Sequence, residues 1–137
     1  KIMGRKIDRI IIHCSATKPG QKCNAKIIGR WHREKGYKSI GYHYVILEDG
    51  TVEKGRPESE MGAHCVGYNS SSIGICYVGG LDKKGQPFDT RTVKQKEALR
   101  DLVNAICVRY VIKDIAGHNE FANKSCPCFN VKKEFGL

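Results

Sequence analysis

Apolar residues fall along this chain in two periods. From Ile7 to His13 they run almost without a break, and Ile7, Ile10, Ile11 and Ile12 are all β-branched. Such a run predicts a buried strand. It ends in Ser15–Gln21, a loop marked by Pro19-Gly20. Asn24 suits a helix N-cap, Ile27, Ile28 and Trp31 follow at helical spacing, and Gly36 suits the stop. Gly41 to Leu47 alternates as a strand, Asp49-Gly50 signals a hairpin, and Thr51-Val52-Glu53 returns. Residues 55–71 read as loop, rich in Gly, Ser and Asn, and Ser72 to Val78 as a third strand closed by Gly79-Gly80. Thr92-Val93-Lys94-Gln95 has the form of a capping box. It opens the longest helix, with Leu99, Leu102, Val103, Ile106 and Tyr110 along one stripe. Val111 to Ala116 reads as the last strand, and Val131 with Phe135 as a short C-terminal turn of helix. Strands and helices intermix without repeat or linker. The expectation is one α/β domain over residues 1–137, a central mixed β-sheet flanked by helices.

Composition agrees. The 137 residues are 40% hydrophobic, enough for a core and against wholesale disorder. No apolar run approaches the ~20 residues of a membrane span. The longest early apolar stretch, Ile10–Ile12, is too short for a secretory h-region, so no signal peptide is read. Charge changes the picture more: 24 basic against 14 acidic residues leave +10. That balance favours anionic partners, whether nucleic acid, acidic envelope polymers or anionic lipid. No RRM, KH or zinc-finger pattern singles out nucleic acid, which is not expected as a partner. Seven cysteines, an odd number, leave at least one outside any intramolecular disulfide: free, paired between chains or metal-bound.

Two histidines stand at strand ends, where a rigid scaffold fixes a side chain and a loop leaves it open. His13 ends the first strand, and His118 follows Gly117 just after the last. Cys126 comes eight residues later, in Lys124-Ser125-Cys126-Pro127. Two imidazoles and a thiolate make a three-ligand zinc set with a fourth position for water. A lone His is more often a satisfied polar group, and His-x7-Cys is no standard short-range zinc pattern, so spacing alone leaves the metal open.

Several motifs together resemble one family. Ile10-Ile11-Ile12-His13-Cys14-Ser15-Ala16-Thr17 looks like the first-strand motif of the zinc-dependent N-acetylmuramoyl-L-alanine amidases (amidase type 2), a family that includes phage T7 lysozyme and the peptidoglycan recognition proteins. Ile40-Gly41-Tyr42-His43-Tyr44-Val45-Ile46, Asp49-Gly50-Thr51-Val52 and Gly55-Arg56 resemble its central hairpin. Gly62-Ala63-His64, Gly67-Tyr68-Asn69 and Ser72-Ile73-Gly74-Ile75 resemble the next loop and strand, and Gly117-His118 with Lys124-Ser125-Cys126-Pro127 its last motif. The order is correct over nearly the whole chain. Tyr42, Lys124 and a Cys as third ligand resemble the T7 lysozyme branch.

The resemblance implies hydrolysis of the amide between N-acetylmuramic acid and L-alanine of peptidoglycan. It implies Zn2+ held by His13, His118 and Cys126. It implies Tyr42 and Lys124 as the catalytic pair, Lys124 for the oxyanion and Tyr42 for the water or intermediate, with the proton carrier left open. His64, Tyr68 and Asn69 are the expected substrate contacts. Glu120 is a second candidate base, Cys128 a competing ligand or disulfide partner, and His32 a surface residue. His43 is expected to point away from the sheet face of Tyr42 and Tyr44. The expected setting is the bacterial cell wall, periplasmic or extracellular, with the chain acting there as a monomeric endolysin. The alternatives are a non-catalytic peptidoglycan-recognition module and a regulator that binds a macromolecule through its basic face.

Overall fold

The computed structural model describes residues 4–136. Five strands form one sheet: β1 (Arg9–Cys14), β2 (Tyr44–Ile46), β3 (Val52–Lys54), β4 (Ser72–Tyr77) and β5 (Asp114–Gly117), in the order β3-β2-β4-β1-β5. Only β3 runs antiparallel to its neighbour, as the hairpin requires; β2, β4, β1 and β5 pair in parallel. The mixed sheet flanked by helices is therefore as expected. Three α-helices complete the described residues: α1 (Ala25–Glu34), α2 (Val93–Arg109) and α3 (Val131–Phe135). None is long and apolar enough to cross a membrane.

The capping signals work as the sequence suggests. Asn24 Oδ1 accepts the Ile27 N–H at 2.9 Å, and Gly36 leaves α1 at a φ of 98°. Thr92 and Gln95 close the capping box on α2. Gln95 does more than cap. It is fully buried, and its Nε2 donates to Ile46 O and Val78 O. One amide thus ties the start of α2 to the ends of β2 and β4.

The two sheet faces differ. Ile10, Ile12, Ile46, Ile73, Ile75 and Tyr77 meet Leu99, Val103 and Ile106 of α2 in the larger core. On the other face, Ile28 of α1 packs with Ile40, Val45, Cys76 and Val78. His13 is in register with Cys76 and Ile11 with Gly74. His13 therefore belongs to this second face, whose floor is built of small residues.

Two strand expectations are corrected. The run Gly41–Leu47 yields strand only over Tyr44–Ile46, and the run Val111–Ala116 only from Asp114. Val111 is 80% exposed, because the helix has ended but the sheet has not yet been reached. The irregular start of the hairpin breaks the alternation expected for residues 42–44. Tyr42 lies with the α1-side cluster and Tyr44 with the α2-side core. His43 faces away from Tyr44, as expected, but not from Tyr42: the two rings reach neighbouring histidines, His43 at 5.9 Å from His64 and Tyr42 at 5.0 Å from His13.

Gln95→Leu keeps the volume but strips Val78 O of its side-chain donor. The expected loss is about 1–3 kcal/mol of unfolding free energy, the cost of an unmet buried acceptor. Urea denaturation of the variant beside the parent checks it.

Candidate active site

Parallel pairing sets the first two candidate ligands side by side. Ile12 is in register with Gly117, so the next residues along the chain are His13, still on β1, and His118, just past the end of β5. Their ring centroids lie 4.6 Å apart. The loop after β5 must then fold back tightly. A Cβ on Gly117 would come within 2.9 Å of Pro127 Cδ, so only glycine lets that loop close. Tyr77 Oη donates to Pro127 O at 2.7 Å, and the Cys14 backbone N–H points at Cys126 Sγ from 3.2 Å. The outcome is that one donor atom from each of His13, His118 and Cys126 lies within 4.8 Å of the others.

The chemistry of this set suits zinc. Burial holds the His13 pKa well below its ordinary value, helped by His64 and His118. Burial, then the Lys124 charge, lowers that of His118. Neutral imidazoles with a cysteine sulfur are borderline-soft donors of the kind zinc takes, and three protein ligands leave a position open.

The set borders a cavity of about 350 Å³, lined among others by His32, Lys35, Tyr37, Tyr42, His64, Asn69, His118, Phe121 and Lys124. Among the described residues no carboxylate lines it. Tyr42 is pushed well above the usual phenol range by burial and by the Cys76 and Cys126 sulfurs, so it stays a hydrogen-bond donor. Lys124 reaches the cavity from the loop that carries Cys126.

The remaining candidates separate. His64 is buried, with Nδ1 2.8 Å from His13 Nε2 and Nε2 3.2 Å from Ser72 Oγ. Its pKa falls to about 3, chiefly through burial. Asn69 Oδ1 accepts the backbone N–H groups of His64 and Cys65, at 2.8 and 2.9 Å, which shapes the cavity rim. Tyr68 is not among the lining residues; its ring lies 4.2 Å from that of Phe121, which is. Glu120 is occupied elsewhere, accepting from Gly117 N and Lys132 Nζ. Cys128 Sγ points to Gly80 O at 3.4 Å, its pKa raised to about 12 mainly by burial. It is not in the donor group. All seven cysteines are free.

Sequence reasoning missed His32. It is half-buried, its Nδ1 accepts the Gly41 N–H at 2.8 Å, and its ring lies 5.3 Å from that of Tyr42. Lys35 and Tyr37 were also unforeseen. The available signal was Gly36, the stop that turns the end of α1 toward the hairpin.

The sheet thus carries a two-imidazole, one-thiol cluster over a cavity, a donor set of the kind metal-dependent hydrolases use. The chain belongs to the N-acetylmuramoyl-L-alanine amidase family, whose profile matches residues 3–129, and it is an enzyme of that class. It is similar to the endolysin of Escherichia phage T7, 46% identical over 127 residues, covering 92% of this chain and 83% of the relative. The endolysin of Klebsiella phage KP32 is 43% identical over 125 residues, covering 91% and 83%. The solved N-acetylmuramoyl-L-alanine amidase LysC from Clostridium intestinale URNW superposes with a TM-score of 0.83 at 26% identity, covering 97% of this chain and 87% of that one.

Buried neutral histidines make stability depend on pH. As pH falls below 6.5 the unfolded chain takes up protons that the folded His64 refuses until about pH 3. Unfolding is thereby favoured as pH drops through that window, at up to about 1.4 kcal/mol per pH unit for this one group. Metal-free protein titrated with urea at pH 7.5 and 5.5 should lose stability at the lower pH, and His64→Asn should lose less.

Proposed function

We propose that the chain hydrolyses the amide joining the lactyl group of N-acetylmuramic acid to L-alanine of the stem peptide, with Zn2+ held by His13, His118 and Cys126. The observation that carries this reading is the convergence of those three donors beside Tyr42 and Lys124 at one cavity. Every proposed group comes from a single chain, in keeping with action as a monomer. Its family and its endolysin relatives support the bacterial wall as the setting and peptidoglycan as the partner.

Bound zinc supplies a Lewis acid for the amide carbonyl and a water of lowered pKa. The side chains supply the rest. Water adds to the carbonyl carbon, and charge develops on its oxygen. Lys124 donates a charge-assisted hydrogen bond to that oxygen. Tyr42, held as a phenol by its burial, donates to the attacking oxygen or to the intermediate. The carbon–nitrogen bond then breaks, and the L-alanine nitrogen leaves as an amine with a proton from the attacking water. The stem peptide runs along the wall of His64, Asn69 and Phe121, with Tyr68 supporting Phe121 from behind. Lys35 and Lys124 give this wall a positive potential suited to peptide carboxylates.

Release of stem peptide from purified wall separates cutting from recognition alone. Lys124→Ala should keep its zinc and lose about 10²–10³-fold in turnover, the usual cost of one oxyanion donor. His118→Ala should lose both metal and turnover. Elemental analysis beside the digestion assay reads the two. Full activity in Cys126→Ala, or equal metal content in the Lys124 and His118 variants, contradicts these roles.

A further inference from the structure

A neutral imidazole carries one N–H and one bare nitrogen, and only the bare one can bind a metal. The contacts around His13 decide which nitrogen that is. Tyr68 O can only accept. Ser72 Oγ lies 2.7 Å from it and spends its single hydrogen there. Towards His64 Nε2, 3.2 Å away, Ser72 therefore shows only lone pairs, so His64 Nε2 must carry the N–H. His64 Nδ1 is then bare. It faces His13 Nε2 at 2.8 Å, a distance that is a hydrogen bond only if His13 Nε2 donates. His13 Nδ1 is the nitrogen left bare.

We propose that His64, anchored by Ser72, is a positioning residue that holds His13 as its Nε2–H tautomer and so presents Nδ1 to the metal. The backbone carbonyl of Tyr68 thus sets, through two side chains, the face that a third offers. The His64 ring is built in rather than free to turn. A Cβ on Gly74 would lie 2.7 Å from it, and one on Gly62 would meet it at the same distance. Asn69 holds its backbone N–H. Residues that hold a ligand's second nitrogen fix its tautomer and orientation, and their loss commonly costs 10–100-fold in metal affinity.

The inference rests on the zinc reading, and its test keeps the two apart. Nitrogen-15 NMR of the imidazole rings in metal-free protein should show His13 protonated at Nε2 and bare at Nδ1. Competition with a chromogenic chelator should then show weaker zinc binding in Ser72→Ala by about 10-fold, and in His64→Phe by roughly 10–100-fold. His64→Asn, which can place an amide oxygen near the Nδ1 position, should recover much of that loss; a merely space-filling role would favour the Phe variant instead. If His64→Phe fails to fold, Ser72→Ala and the NMR decide. His13 protonated at Nδ1 in the parent, or zinc affinity within twofold of the parent in all folded variants, overturns the relay. Parent protein that binds no zinc overturns the metal reading on which it rests.

Discussion

The parallel pairing of β1 with β5 is the constraint from which the site follows. Residues adjacent in two parallel strands leave the sheet at the same level and the same end. Ile12 beside Gly117 makes His13 and His118 neighbours although 105 positions separate them in sequence. Neither strand can slip by one residue without turning its side chains to the other face. A slip would bury polar groups among the isoleucines beneath α2. The hydrophobic face therefore enforces the register that the polar face uses.

The polar face has its own demands. Buried polar groups are tolerated only when hydrogen-bonded, and among the described residues no buried side-chain nitrogen or oxygen lacks a partner. His64 is bonded on both ring nitrogens, and His43 accepts from Gly74 N while contacting Glu60 O at 2.8 Å. Room for these rings comes from omitted side chains. Gly74 interrupts the Ile73–Ile75 run so that an imidazole can lie on the sheet, and Gly117 lets the Cys126 loop close over β5.

Much of this was legible in the chain. The β-branched run, the Asn24 cap and the Thr92–Gln95 box are local signals, and local hydrogen bonds decide them. The mixed sheet followed from those elements. The ends of β2 and β5 were not legible, because strand ends are set by where a neighbour stops pairing. The face of Tyr42 was misread for the same reason: alternation holds only inside a strand, and β2 begins two residues after Tyr42. His32 looked like surface because a helix shows its own stripe but not what a distant loop lays across it; Gly41 N arrives from outside the helix. Glu120 looked available for chemistry, yet Gly117 N and Lys132, invisible as partners in sequence, occupy it. The candidate ligands could be chosen because strand ends and family-like motifs mark them. Their second contacts could not, since those depend on tertiary distance.

The two faces also divide stability from chemistry. The α2 face carries large apolar side chains and needs nothing from solvent. The α1 face carries Gly74, Cys76 and His13, and it stays open along the cavity between α1 and the Cys126 loop. A site on loops alone would have to hold its donors against loop motion. Here His13 is on an interior strand, with β4 on one side and β5 on the other. The least exposed donor is thus the most rigid, while His118 and Cys126 sit on the turn and loop nearer solvent, where a ligand must enter. Lys124 shares the loop of Cys126, so any contact that orders the sulfur also narrows the space swept by the ammonium. That linkage places a cation beside the donor set without burying it, and so without the desolvation that a buried lysine would have to offset.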